Sequence, residues 1–384
     1  MQRQHVVVVG AAETKKLGSL PEMSNLALHA EAARLAMHDA GIVPADVDGL
    51  ACAYEEPTDL AAHLGIRPSW IDGTAVGGCS WIVHLRHASA ALRSGHCSTV
   101  LIVHGESGRS RVAGPYYNFA PPGSIPQQFI NSYPVAGAAT LFTLPFVRYM
   151  SRYGINEEHL ANVVVSQRKW AMKNTRAMRR NPITVDEVLD APMIAWPFRK
   201  PMCCLVADGG GAVVLTGSQR ASDLTSSPVY VLGVGEAHGN YLFAPLADDD
   251  LIRPEITRRS AALAFSEASC SPSDIDHLMI YDAFAHNPIM GLEGLGFADY
   301  GEGAFLIAEG HTDEGGKLPM NTNGGGLSYA HTGSYGMLAM QESIRQLRGL
   351  ADAQVPNVET SLCHGWGGYF SACATAIFSN VAPH

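Results

Sequence analysis

Charge is scarce in this 384-residue chain: only 16% of residues are Asp, Glu, Lys or Arg, and acids outnumber bases 36 to 26. A formal net charge of −10 gives no basic face for nucleic acid or an anionic membrane. Long hydrophobic runs are missing as well. None approaches the ~20 residues that span a bilayer, and no signal-peptide apolar stretch opens the chain. Eight cysteines occur without paired spacing, which points to a reducing, cytoplasmic setting rather than a disulfide framework. Metal-ligand patterns are absent: His84 and His87 share a helix face without a second pair, and Cys203-Cys204 are adjacent, pointing opposite ways in a strand. Gly233-Val234-Gly235 with Gly239 follows an apolar run as a dinucleotide turn would. Its third glycine is displaced, however, and no acidic residue ends a second strand ~20 residues later.

What the chain does have is a repeat. Val6-Val7-Val8-Val9-Gly10 and Val229-Tyr230-Val231-Leu232-Gly233 each lead into an Ala-rich amphipathic segment. Those segments end alike, in Ala36-Met37-His38-Asp39-Ala40 and Ala264-Phe265-Ser266-Glu267-Ala268. Pro44-Ala45-Asp46-Val47-Asp48-Gly49-Leu50 then matches Pro272-Ser273-Asp274-Ile275-Asp276-His277-Leu278. A strand–helix–strand unit recurring after roughly 220–230 residues is too long a period for a solenoid. It indicates two related α/β halves with a cleft at their junction.

The pattern predicts strands at 5–10, 48–54 and 98–104, and helices at 24–41 and 79–94. Past the middle it predicts strands at 277–282 and 358–363, and helices at 256–269 and 334–348. Apolar runs alternating with helices predict a mostly parallel, doubly covered sheet in each half. Composition shifts between 110 and 200, so the predicted organisation is a first half (1–110 plus 201–222), an inserted loop domain (111–200) and a second half (223–384). Arg168, Lys169, Lys173, Arg176, Arg179, Arg180, Arg199 and Lys200 fall in or beside that insertion. They form either a solvated helix face or a dock for an anionic phosphate. Tyr116, Tyr117, Phe119 and Phe129 would suit an aromatic substrate or simple packing.

Cys79 follows Gly77-Gly78 at a predicted helix start, where free N–H groups and the helix dipole favour a thiolate. Through the repeat, its helix corresponds to the one after His331, which lies in a Gly-rich loop from Asn321 to Gly333. A Cys and a His at equivalent helix starts would give a base-activated nucleophile. Tyr281-Asp282 and Cys363-His364-Gly365 close two further strands at the same edge, where open α/β sheets build their sites. Asp282 reads equally well as a helix cap.

These residues resemble the thiolase superfamily over essentially the whole chain, closest to its sterol-carrier-protein-type and bacterial thiolase-like (acetyl-CoA acetyltransferase-like) branches. The resemblance implies two mixed five-stranded sheets in an αβαβα layering, with the insertion covering the active site and binding coenzyme A. It implies Cys79 as acyl-accepting nucleophile, His331 as its activator, and Cys363 (or the neighbouring His364) as second acid/base. The backbone at Cys79 and Gly365 would form the oxyanion hole. Arg168, Lys169, Gly325 and Ser328 would contact the coenzyme, which enters as acyl-CoA substrate rather than bound cofactor. A homodimer and a small zinc-ribbon/OB-fold partner are further implications. Departures exist: Ile82 stands where the family has Gly, Thr332 follows the His, and Tyr281 replaces Asn or His. A Tyr there resembles thiolase-fold aldolases, which generally lack the nucleophilic Cys. The expectations are therefore acyl transfer through Cys79, or retro-aldol cleavage of a β-hydroxyacyl-CoA with Tyr281 or His331 taking the hydroxyl proton, or an idle acyl-CoA-binding subunit.

Overall fold

The computed structural model describes residues 5–112, 123–129, 137–225, 227–239 and 252–383. The first half runs β1 (Val6–Glu13), α1 (Asn25–Asp39), β2 (Gly49–Cys52), α2 (Pro57–Leu64), β3 (Trp70–Asp72), α3 (Ser80–Arg93) and β4 (Thr99–Ser107). Then come α4 (Ile125–Phe129), α5 (Ala138–Tyr153), α6 (Glu157–Ala171), α7 (Val185–Leu189) and the hairpin β5 (Met193–Ala195)–β6 (Phe198–Arg199). β7 (Asp208–Gly217) and α8 (Ser218–Leu224) lead to β8 (Val229–His238), α9 (Glu255–Ala268) and β9 (His277–Ile280). α10 (His286–Gly294), α11 (Gly303–Ala308), α12 (Gly325–Ser328), α13 (Gly336–Arg348), β10 (Thr360–Gly367) and β11 (Ala372–Ser379) complete the chain.

Five strands of the first half and four of the second join edge to edge in the order β3-β2-β4-β7-β1-β8-β11-β10-β9. The seam is the β1–β8 pairing at Val6–Val8 and Val229–Val231. A single bridge, Leu278 to Met320, stands where the second half would carry a fifth strand. α3 and α13 fill the space between the two halves of the sheet, while α1 and α9 cover the outer faces.

Strand direction corrects one expectation. β2–β3, β2–β4 and β9–β10 are parallel, but the other five pairings are antiparallel. The apolar runs are real: β4, β7 and β11 are buried at every position. They arise because both faces of each half-sheet are covered by helices, and such burial does not depend on strand direction.

The repeated words have repeated physical jobs. A Cβ on Gly10 would lie 2.3 Å from Ala36 O and 2.7 Å from Ala40 Cβ. One on Gly233 would lie 2.3 Å from Ala264 O and 3.1 Å from Ala268 Cβ. Glycine facing alanine thus lets α1 and α9 close onto β1 and β8. Gly235 does the same against Ser260 O at 1.9 Å, so the Gly-x-Gly of β8 is a helix-packing device and not a dinucleotide turn. Asp46 and Asp274 each accept the N–H three residues earlier, from Val43 and Ser271. Asp48 and Asp276 accept N–H groups at the starts of β4 and β10.

Buried histidines set the acid stability of this core. Burial pushes His29, His84 and His331 down to about 4, and His277, His286 and His364 to about 3. Burial also holds His104 well below its usual value. The unfolded chain binds protons near pH 6.5 that the folded chain refuses. The contribution of these histidines is therefore full above 6.5 and drains as pH falls towards 4, by up to ~1.4 kcal/mol per pH unit for each such group. Urea midpoints should fall steeply as pH drops from 6.5 towards 4. A midpoint unchanged down to pH 5 would contradict this account.

Candidate active site

The site forms where the starts of the two central helices touch. Gly336 N–H donates to Gly78 O at 3.1 Å, and a Cβ on Gly336 would stand 2.2 Å from that oxygen. Beside it the Gly77 backbone lies on Gly367 and Gly368, where a Cβ would be 2.6 Å from Gly367 Cα. Only glycine allows backbones this close, and Gly77, at φ 91°, also needs its left-handed freedom.

Tyr281 enters this junction from the end of β9. Its N–H donates to His364 O at 2.9 Å, which extends the β9–β10 pairing by one step. The ring lies directly over Gly78: a Cβ there would be 2.2 Å from ring Cε2 and 2.6 Å from the hydroxyl. The Tyr281 hydroxyl and His331 Nε2 are hydrogen-bonded at 2.9 Å. Gly333 N–H donates to His331 Nδ1 at 3.2 Å, so the network assigns the ring proton to Nε2. His331 then donates to Tyr281, which keeps its own hydroxyl proton for another acceptor.

The surroundings hold that pair neutral and still. Burial lowers His331 to about 4 and raises Tyr281 well above its usual range; Cys204, Glu106, Tyr54 and Asp282 raise Tyr281 further. Exposure is 8% for Tyr281 and 5% for His331. Tyr335 stacks on the imidazole, with ring planes 12° apart, and its hydroxyl donates to Asn323 at 2.7 Å. The His331 backbone is pinned on both sides, to Leu205 O at 2.8 Å and Ala207 N at 2.9 Å. Asp282 accepts from Gly326 and Leu327 N–H at 2.6 and 3.2 Å. It therefore caps α12 rather than its own segment, and burial raises it to about 8.

Other predicted residues fall elsewhere. Cys79 is the N-cap of α3, but the thiol is fully buried and pushed well up, chiefly by that burial, which opposes the expected thiolate. Its sulfur contacts Val76 O at 4.0 Å, and among the described residues no hydrogen bond joins it to His331. The N-cap of α13 is Tyr335, so Tyr335, not His331, is the repeat counterpart of Cys79. Gly365 does face Cys79, with a Cβ position 3.3 Å from its Cα and Cβ. Cys363 lies two residues back along β10, fully buried and raised by burial. His364 points the opposite way: its Nδ1 meets Thr375 at 2.8 Å, and its ring stands against Trp366 on the α9 side.

The coenzyme contacts are corrected too. Arg168 is buried, bound to Ser328 Oγ and Asn181 O, both at 2.9 Å. Gly325 presses on Asp282 and Gln167, and Ser328 is inaccessible. These three are internal packing. Lys169 is 58% exposed and pairs with Asp313, Lys173 pairs with Glu314, and Arg179, Arg180 and Lys200 are exposed. His87, read against metal binding, sits between Asp72 (2.6 Å) and Glu236 (3.3 Å). Tyr116, Tyr117 and Phe119 lie outside the described residues; Phe129 is 63% exposed.

Sequence reasoning passed over Glu106. It sits near the end of β4 with no exposed surface, and its carboxylate rests on Gly333, where a Cβ would be 2.2 Å from Oε1. The only sequence signal was a charged residue closing an apolar strand, which is also how many strands meet solvent.

Comparison with known proteins agrees with this architecture. Residues 236–380 match the family "Thiolase C-terminal domain-like". An acetyl-CoA acetyltransferase of Methanothermobacter thermautotrophicus is 31% identical over 97% of this chain and 99% of its own. A steroid side-chain-cleaving aldolase of Thermomonospora curvata is 30% identical over 92% of each chain. The solved "Ltp2-ChsH2(DUF35) aldolase" superposes with a TM-score of 0.88 at 26% identity, covering 98% of this chain and 97% of that one. With the duplicated halves, the central helix pair and an acetyl-CoA acetyltransferase matched along nearly its full length, this chain belongs to the thiolase superfamily.

Proposed function

We propose that this protein makes or breaks a carbon–carbon bond in an acyl-CoA thioester, and that it works as a retro-aldolase on β-hydroxyacyl-CoA. The observation that carries this reading is the Tyr281–His331 hydrogen bond over Gly78. A neutral tyrosine whose oxygen is already held by an N–H donor is suited to give a proton to a developing enolate. Cleavage of the Cα–Cβ bond leaves an aldehyde or ketone and the enolate of a shorter acyl-CoA. Tyr281 protonates that enolate, and the His331 Nε2–H steadies the tyrosinate left behind. The steroid side-chain-cleaving aldolase among the relatives fits this chemistry.

A second reading, acyl transfer through Cys79, draws on the position of that residue between the α3 N-terminus and Gly365 and on the acetyltransferase relative. The same architecture serves both, with acyl-CoA as substrate. Among the described residues no helix is long and apolar enough to cross a membrane, and all eight cysteines are free thiols, which suits a reducing cytoplasm; cell fractionation checks that placement. A homodimer would pair through β3, the outer strand of the first half, where Ile71 is 45% exposed. A small partner related to the DUF35 component named in the solved neighbour would complete acyl-CoA binding; co-purification tests for it.

Four outcomes are expected. With 3-hydroxyhexanoyl-CoA and 3-hydroxy-3-phenylpropanoyl-CoA as probes, the wild type releases a carbonyl product, and Tyr281→Phe slows release by roughly 10²–10⁴-fold. Cys79→Ala keeps most of that activity; a Cys79 acyl adduct by intact mass, with activity abolished in Cys79→Ala, would establish the acyl-transfer reading instead. Gly78→Ala drives a methyl into the Tyr281 ring, so it should cost ~1–3 kcal/mol of stability and lower activity as far as Tyr281→Phe does. Sedimentation should show a dimer that Ile71→Lys shifts towards monomer; a monomeric wild type would remove the β3 pairing.

A further inference from the structure

The retro-aldol step needs a group to receive the β-hydroxyl proton, and the pair at the centre of the site does not provide one. Tyr281 carries its own proton, and His331 has a proton on Nε2 and a backbone N–H against Nδ1. Asp282 is occupied with the first turn of α12, and desolvation pushes the thiols of Cys79, Cys204 and Cys363 up. We propose that Glu106 is the proton acceptor: its carboxylate takes the substrate's β-hydroxyl proton and afterwards returns it to Tyr281. This rests on the aldolase reading.

The repeat supplies independent support. Gly49 pairs with Val100 and His277 with Ser361, and because Gly49 and His277 are repeat counterparts, Val100 corresponds to Ser361. Counting on, Glu106 corresponds to Gly367. Counting back from the two N-caps, Gly77 corresponds to Gly333, and their φ values agree, at 91° and 102°. The contact of Gly367 with Gly77 is therefore the counterpart of the contact of Glu106 with Gly333. In the second half the fold makes this junction with glycine alone. A carboxylate at this position is therefore not what the packing of the junction requires.

Its place is also right. Glu106 lies close enough for its charge to bear on Tyr281, and it touches the loop that carries His331. His104 Nε2 stands 4.0 Å from the carboxylate and is hydrogen-bonded to Thr332 at 2.6 Å, so it steadies the same loop. The step balances without a co-reactant. The β-hydroxyl O–H bond breaks and its proton goes to Glu106; the oxygen electrons form the carbonyl as Cα–Cβ breaks. Cα takes the Tyr281 proton, and Glu106 returns its proton to the tyrosinate.

The test uses full-length protein with the two 3-hydroxyacyl-CoA probes. Glu106→Gln should lower kcat by roughly 10²-fold or more while KM and the thermal midpoint stay near wild type. Glu106→Asp should recover part of the rate, and formate should restore turnover to Glu106→Ala, a rescue that a purely structural glutamate would not give. If the wild type and Tyr281→Phe behave as an aldolase pair but Glu106→Gln turns over at the wild-type rate, this proposal falls and the aldolase reading stands. If Glu106→Gln fails to fold, Glu106→Ala with formate decides, and no rescue overturns the assignment. If the wild type cleaves neither probe, both fall together.

Discussion

Everything at this site depends on a backbone contact, Gly336 N–H to Gly78 O at 3.1 Å. Two central helices, one from each half of a duplicated chain, must begin almost in contact for the cleft to exist at all. A side chain at 336 would wedge them apart, its Cβ position lying 2.2 Å from Gly78 O, while one at 77 would strike the Gly367 backbone and one at 78 the Tyr281 ring. The same bareness leaves a slot over Gly78 the thickness of an aromatic ring. Tyr281 fills it, and its hydroxyl is delivered to His331 as a consequence of packing.

Burial then decides the electrostatics. A helix N-terminus favours an anion by ~0.3–1 kcal/mol, whereas taking a thiol fully out of water shifts its pKa by up to 3–5 units, several times that energy. Cys79 has the dipole and the burial together, and burial prevails. The same force keeps His331 neutral, so the imidazole acts as a hydrogen-bond donor at neutral pH rather than as a cation. Beside that neutral pair, Glu106 rests on the loop that carries His331.

Much of the scaffold was legible because its cause is local. Gly10 and Gly233 stand out as glycines ending β-branched runs, and their partners Ala36, Ala40, Ala264 and Ala268 repeat with them. Tyr281 and His331 were legible as polar residues where strand and loop end. Strand direction was not, because a run such as Thr99–Ser107 records that both faces are covered, and says nothing of which way its neighbour runs. The face of His364 was missed because alternation assigns faces only once one residue is anchored, and Gly365 against Cys79 is what anchors β10. Arg168 reads as a cation free to meet phosphate, yet its partners Ser328 and Asn181 are distant in sequence or irregular in spacing.

Duplication explains how a near-symmetric scaffold comes to hold an asymmetric site. Each half brings one glycine-led turn before a central helix, Gly77 to α3 and Gly333 to α13, and one strand end lying on the other half's turn. Where that strand end is Gly367, the two backbones meet and the turn before α3 is held close, leaving Gly78 bare. Where it is Glu106, the same space holds a carboxylate beside the turn that carries His331. One copy of the contact therefore makes room for Tyr281, and the other places an acid near it. A chain with two identical contacts would have either two closed glycine junctions without a proton acceptor or two buried acids without the slot. The divergence of Glu106 from Gly367 is thus as much a part of the site as the Tyr281–His331 pair.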